Sequence, residues 1–489
     1  MTKLLSLFIL ILSILQLDYK IFAQNYNDAL LLSKPGLYTG ARALSLGNSF
    51  TALSNDFTGV LFNPAGLGLI KKTQLTASMN LNSFSNQTTF FNVANGINQT
   101  SVSLNQFGFV YPLPTMQGSW VFAMGYNNTK DFNRTMEFSG FNSGNNSMIQ
   151  YLTGDYNEQI PITNDLKLAY EIMDPQTEQY LRDTTLINGL LNQSGRIRKE
   201  GSIGKWSFAT SMEFAKGFFL GGTFNIITGS YKSDRDYWED DTQNTYSNAI
   251  QLVPDDNTTR DFQSFYLNDI INWDLSGWDA QVGLLYNWKD FFRVGASIKF
   301  PSYYSVKEDY YVNASSTFGT GSEYSLNTPI NDPIEYEIKT PYEYSVGAST
   351  SFLLFTFAGD VKIIDYTQME FTKGFDLNYR TERQREIDDL FTTTLNYHAG
   401  AEVKLPFLPI YARAGAMYLQ SPFIDDPAEF DKKYLTVGGG IIFEDTFGIE
   451  VAYSYGWWTD YGDNYNINVS RTYQDITVEN LILNLTAKF

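Results

Sequence analysis

The sequence predicts an all-β protein: an antiparallel transmembrane β-barrel of about 14 strands, with an N-terminal hatch (plug) inside its lumen and short helices in one long extracellular loop. Three observations predict it. Segment after segment alternates apolar and polar residues with a period of two, which a strand imposes because successive side chains face opposite sides. Short turns and long polar loops alternate between those segments, as in outer-membrane barrels. Aromatic residues make up 16% of the chain, with 33 Tyr and 37 Phe, yet mean hydropathy is only -0.24. That pairing suits a wall whose lipid-facing aromatics alternate with polar lumen residues, and suits a soluble core poorly.

Composition removes several classes of function. Among 489 residues there is no cysteine and one histidine, His398. Disulfides, thiol catalysis, Cys-attached haem, a Cys-anchored lipid and an all-His or His/Cys metal site are therefore excluded. No cofactor and no metal are expected. A net charge of -19 opposes nucleic-acid binding, which needs surplus Lys and Arg.

Taken in order, the chain opens with Lys3 and the apolar run Leu4 to Leu17, a secretory signal too short to cross a bilayer as a mature helix. Residues 1–23 are read as the signal peptide, cleaved near Ala23-Gln24, residues 24–71 as the hatch and residues 72–489 as the barrel. Within the hatch, Gly40 to Leu69 is rich in Gly, Ala, Ser and Asn, lacks alternation, and ends in the turn Asn63-Pro64-Ala65-Gly66. A compact small-residue segment ahead of a barrel wall fits the lumen.

Strands follow near 72–90, 101–113, 119–137, 202–215, 218–232, 278–288, 291–312, 334–353, 355–371, 391–405, 410–420, 433–443, 447–459 and 475–489. Trp278, Ala280, Val282, Leu284, Tyr286 and Trp288 form one face, against Asp279, Gln281, Gly283 and Asn287 on the other. Arg293, Lys299 and Glu450 likewise fall on the polar, lumen face, as they must, since a charge facing lipid costs roughly 2–4 kcal/mol near the midplane. Connections at 113–119, 216–217, 289–290, 354, 406–409 and 444–446 are short. Those at 138–201, 233–277, 313–333, 372–390, 421–432 and 460–474 are long and polar, which places both chain ends on the periplasmic side. Partly helical spacing over Asp165 to Leu191, around Pro175, predicts short helices in the first long loop. Acidic loop residues such as Asp234, Asp236, Glu239, Asp240, Asp241, Asp255 and Asp256 match no EF-hand spacing and read as solvated surface, with lipopolysaccharide or Ca²⁺ contact as the alternative. Leu481, Leu483, Leu485, Ala487 and the terminal Phe489 form one apolar face. This ending resembles the signal read by the barrel-assembly machinery.

These residues together resemble the FadL-type outer-membrane transporter family of long-chain fatty acids and other hydrophobic compounds. The resemblance rests on Asn63-Pro64-Ala65 in a Gly/Ala-rich N-terminal segment, the strands after it, and Phe489. Asp28-Ala29-Leu30, Gly40-Ala41-Arg42, Gly47, Asp56 and the run 63–68 look like a subgroup in which some members carry hemin-receptor labels. The resemblance implies a hatch-plugged monomer, uptake without an energy source, and sideways exit through a kink in the third strand. Alternation in 119–137 breaks after Tyr126, which marks Gly125, Asn127 and Asn128 as the kink.

Other site residues follow from inward position. Arg42, Glu213, Arg293, Glu402, Arg413 and Glu450 are expected to form a charge network docking the hatch, because buried charges persist only when paired. Lys299, Lys362 and His398 project inward at mid-barrel and are candidates for a ligand carboxylate, with a Lys362–Asp360 ion pair as the alternative. No catalytic residue is expected, since no serine has the GxSxG context a triad with His398 would need. The expected function is passive uptake of a hydrophobic ligand, long-chain fatty acids first. Aromatic hydrocarbons, haem, or an adaptor barrel that serves protein secretion without transport are the alternatives. The expected location is the outer membrane of a Gram-negative bacterium.

Overall fold

Alternation has its expected consequence, a wall of 14 antiparallel strands closed on itself. The computed structural model describes residues 25–37, 40–153, 162–326, 330–444, 446–465 and 468–489. The expected signal peptide, Asp445 of one expected turn and residues 154–161 of the first long loop lie outside the described residues.

The wall runs β1 Gln74–Phe90, β2 Val93–Leu113, β3 Trp120–Asp131 continued by Arg134–Asn142, β4 Leu191–Ala215, β5 Phe218–Asp240 and β6 Phe262–Trp288. It continues through β7 (Phe292–Lys299 and Tyr303–Phe318), β8 (Ile330–Lys339 and Glu343–Phe352) and β9 (Phe355–Asp365 and Glu370–Lys373). The remaining strands are β10 Thr393–Lys404, β11 Ile410–Leu419, β12 Lys432–Phe443, β13 Phe447–Asp463 and β14 Arg471–Lys488. Each pairs with its neighbour, and Gln74↔Lys488 of β1 and β14 closes the ring. Outward positions such as Leu104, Phe107, Phe224, Ile226, Trp278, Leu284, Leu435, Val437, Leu481 and Leu483 are exposed. So much exposed apolar surface is a lipid-facing belt. No described helix is long and apolar enough to cross a membrane.

Strands extend further at the loop end than alternation shows. β2 begins at Val93, β4 at Leu191 and β6 at Phe262, and β5 runs to Asp240. In these extensions the outward side chains include Asn98, Thr100, Arg196, Arg198 and Asp234. Beyond the lipid the outer face meets water, so the hydrogen-bond ladder persists without an apolar stripe. Helices do appear in the first long loop, at Met148–Thr153 and Ile162–Asp165. The stretch around Pro175 departs from the expected helix and forms a hairpin, Tyr170–Met173 against Tyr180–Thr184. Its turn is set by Asp174, whose carboxylate accepts the N–H of Gln176 at 2.7 Å and Thr177 at 3.0 Å. The loop read as 372–390 contains the helix Leu377–Leu390, capped by the Asp376 carboxylate on the Tyr379 N–H. Its polar residues almost all round hid the helical period.

Inside the wall, Lys205 and Asp279 form a pair at 2.5 Å, and Asn225 and Ser302 give Asp279 two further hydrogen bonds. Breaking such a pair leaves one buried charge uncompensated. Lys205→Met is expected to destabilise the barrel by about 3–5 kcal/mol in urea unfolding from vesicles, whereas Lys205→Met with Asp279→Leu recovers most of the loss.

Candidate functional site: the lumen segment, its collar and the interrupted strand

Residues 40–70 thread the lumen as short helical turns: α2 Ala41–Ser45 against β11–β14, α3 Gly59–Phe62, and a 3₁₀ turn Pro64–Leu69 against β3–β6. Asn63 governs the last turn. Its Oδ1 accepts the Ala65 N–H at 3.1 Å, Pro64 supplies a preset φ at the first helical position, and Nδ2 donates to the carbonyls of Thr51 (2.9 Å) and of Leu284 on β6 (3.0 Å). One side chain thus closes the turn, ties it to the preceding one and anchors both to the wall. A second anchor is Asp360 on β9. The backbone turns through positive φ at Gly47 and Asn48, and the Asp360 carboxylate then accepts the N–H groups of Phe50 and Thr51, each at 2.7 Å. Asp360 is therefore committed to the lumen segment and is not the partner of Lys362.

Close approach of two backbones needs wall positions without a side chain. Inward glycines supply them on strand after strand. A Cβ on Gly283 would lie 1.9 Å from Asn63 Oδ1, on Gly221 2.4 Å from the Ala65 nitrogen, and on Gly295 2.4 Å from the Thr51 carbonyl. On Gly400 it would sit 2.4 Å from the Leu46 carbonyl, and on Gly415 2.2 Å from the Gly47 nitrogen. Gly108 and Gly125 make room for the Phe57 ring. Several are cross-strand partners: Gly108↔Gly125, Gly221↔Gly283, Gly295↔Gly347 and Gly400↔Gly415.

Of the expected docking charges, four meet. Arg42 grips Glu402 with two nitrogens at 3.1 and 3.2 Å, Arg413 reaches the same carboxylate at 2.6 Å, and Arg413 also pairs with Glu450 at 2.8 Å. Glu213 and Arg293 are placed elsewhere. Glu213 accepts the Gly217 N–H at 2.8 Å and Arg293 pairs with Asp290 at 3.2 Å, so both brace wall turns. They sit too close to the turn rim to reach the segment.

Lys299, Lys362 and His398 are inward, and each has a protein partner. Both lysines bind Glu343, Lys362 at 2.9 Å. His398 Nδ1 lies 2.9 Å from the Gly47 carbonyl. Lys362 and His398 also face one small cavity, shared with Leu37, Asn48, Phe62 and Met417.

The third strand is interrupted just above the predicted position. Backbone pairing of β2 with β3 ends at Gln106↔Asn127. Asn127 holds a rung of lumen hydrogen bonds, to Gln106 at 3.2 Å and Ser207 at 3.4 Å. The register against β4 shifts between Asn128 and Lys130. The bulge turns Lys130 from the lipid-facing side of Trp120, Phe122 and Met124 to the lumen side of Ile203. There its Nζ donates to the carbonyls of Leu31 (2.6 Å) and Leu32 (3.2 Å), at the C-terminal end of α1 Tyr26–Ser33. Beyond the break β3 leans inward, with Phe138 against Phe90 at 4.9 Å. Side chains then bridge β2 to β3, Thr135 to Gln99 at 2.6 Å and Ser101 to Asp131 at 3.1 Å.

α1 itself is capped by Asn25 and Asp28 reciprocally. It buries Ala29, Leu30 and Leu32 in an apolar chamber walled by Tyr231, Trp273, Tyr304, Tyr336, Phe371 and Phe391.

A closed 14-strand wall, a lumen filled by its own N-terminal segment and an interrupted third strand define a transmembrane β-barrel of the outer-membrane kind. Among solved structures, the chain resembles the P. putida toluene transporter TodX, with TM-score 0.53 and 14% identity over 92% of this chain and 99% of that one. It also resembles a Pseudomonas aeruginosa FadL homologue, with TM-score 0.56 and 12% identity over 94% and 99%. No family model and no curated protein matches the chain, and at these identities the likeness is one of fold.

Gly283→Val is expected to push the Asn63 turn off the wall while the barrel still assembles. Limited proteolysis in detergent should then cut between residues 45 and 66, where the parent chain resists, with heat-modifiable migration on gels unchanged.

Proposed function

We propose that this chain is a passive outer-membrane channel for hydrophobic small molecules, long-chain fatty acids foremost, in which residues 24–71 act as the hatch. The observation that carries this reading is the chamber around α1. An aromatic, apolar interior is of no use to a water-filled porin or to an adaptor that works through its outer loops, whereas it solvates a hydrophobic ligand. α1 fills that chamber with Ala29, Leu30 and Leu32, so a ligand entering there competes with the helix for the same rings. Displacing α1 removes the carbonyls that Lys130 binds, and so loosens the bulge beside the stretch of β2 whose backbone pairing with β3 has ended. That stretch is the proposed sideways exit.

Long-chain acids are favoured because Lys362 and His398 face one cavity below the chamber. A carboxylate arriving there would share Lys362 with Glu343. A neutral aromatic hydrocarbon, such as the substrate named for TodX, would use the chamber alone.

Binding of radiolabelled oleate and toluene to the purified chain tests the reading. Saturable oleate binding is expected, weakened about tenfold by Lys362→Met, the ~1.5 kcal/mol of a charge-assisted hydrogen bond. If neither ligand binds and cells lacking the protein take up both normally, transport is the wrong reading.

A further inference from the structure

The rim that carries the short turns is uneven in a way the lumen does not explain. At most of its turns the left-handed residues are glycine or charged: Gly217 at φ 79°, Lys289 at 52°, Asp290 at 56°, Glu444 at 45°. At two turns they are large and apolar. Leu353, at φ 55°, joins β8 to β9, and Phe407, at φ 65°, joins β10 to β11. In this region the Cβ crowds the backbone, which is why Gly, Asn and Asp are the usual occupants. Both side chains also point into the open, Leu353 at 86% exposure and Phe407 at 104%. In water, such a residue would have neither a packing reason nor a backbone reason to be there.

The two turns are neighbours, because β9 pairs with β10. Phe352, Leu354, Phe355 and Leu408 around them are exposed as well. The outward belt reaches these turns through Val346 and Phe352 on β8 and through Phe357 and Phe355 on β9, with no charged residue between. Met116 is equally exposed in the β2–β3 turn, but it stands alone between Thr115 and Gln117, and Gly118 takes the left-handed position there.

We propose that the β8–β9 and β10–β11 turns form a lipid-insertion surface. Leu353, Leu354, Phe407 and Leu408 sit in the acyl region of the adjoining leaflet, and the barrel is seated deeper on this side than at the Lys289 and Glu444 turns. Transfer of the apolar side chains from water into hydrocarbon offsets the backbone strain. Continuity with the lipid-facing belt selects lipid over a protein partner, and nothing in the argument depends on what the channel carries.

The chain has no native cysteine, so single probes report cleanly. Leu353→Cys and Phe407→Cys, with Lys289→Cys as control, would be labelled with an environment-sensitive fluorophore. The full barrel would then be reconstituted in phosphatidylethanolamine/phosphatidylglycerol vesicles with and without nitroxide-labelled acyl chains. Leu354→Cys and Leu408→Cys provide unstrained positions should the first pair fail to assemble. Blue-shifted emission and quenching by the acyl nitroxide several-fold stronger than at the control are expected. Emission and quenching equal to the control, with free access to aqueous iodide, would overturn the proposal. So would protection from an impermeant maleimide seen only in cells and not in vesicles, which would mark a protein partner.

Discussion

Contact between two backbones, the lumen segment and the inner wall, governs how the interior of this barrel is built. A lumen lined by ordinary side chains would hold a segment at side-chain distance and leave its amides unpaired, at a cost of about 1–3 kcal/mol for each buried group. Glycines at inward positions remove that spacing. Asn63 and Asp360 then complete the hydrogen bonds that the irregular backbone cannot make with itself. The small residues of 40–69 and the glycines of the wall are one feature seen from two sides.

The contact divides the lumen. At the level of the segment the wall is polar; Arg42, Arg413, Glu402 and Glu450 pair on one side and Lys205 and Asp279 on another, while Asp360 is held by the segment's own amides. Above it the lumen turns aromatic and is filled by α1. Even the buried carboxylate of Glu308 there is taken by Trp273 Nε1 at 2.7 Å and the Tyr336 hydroxyl at 2.9 Å, so the chamber presents rings more than charge. Lys130 links the two levels, because the bulge that interrupts β3 delivers its ammonium to the end of α1.

Much of this was legible in the sequence where physics gives it a period. Lipid outside and polar lumen inside force alternation, so Trp278 to Trp288 and Phe447 to Tyr455 read directly as wall. The same rule failed above the membrane, where residues 93–100 and 262–277 form strands with water outside. The glycine collar carries a sequence signal of its own: Gly283, Gly295 and Gly400 fall on the inward face of alternating strands, where glycine marks a close backbone approach. Arg42, Glu402, Arg413 and Glu450 were readable as inward charges. Glu213 and Arg293 share that parity, but their height near the turns decides their partners. No spacing rule pairs Lys299 and Lys362 with Glu343. The broken alternation after Tyr126 located the interruption in β3, while the reversal of Lys130 depends on a single bulged residue that leaves no periodic trace.

On the proposed function, an entering ligand takes the place of α1 while residues 45–66 stay docked. Hydrogen exchange of the backbone amides, read by mass spectrometry with and without saturating oleate, separates the two regions. Ligand is expected to strip protection from residues 28–33 and to leave 45–66 as slow as before. Undiminished protection of α1 with oleate bound would contradict it.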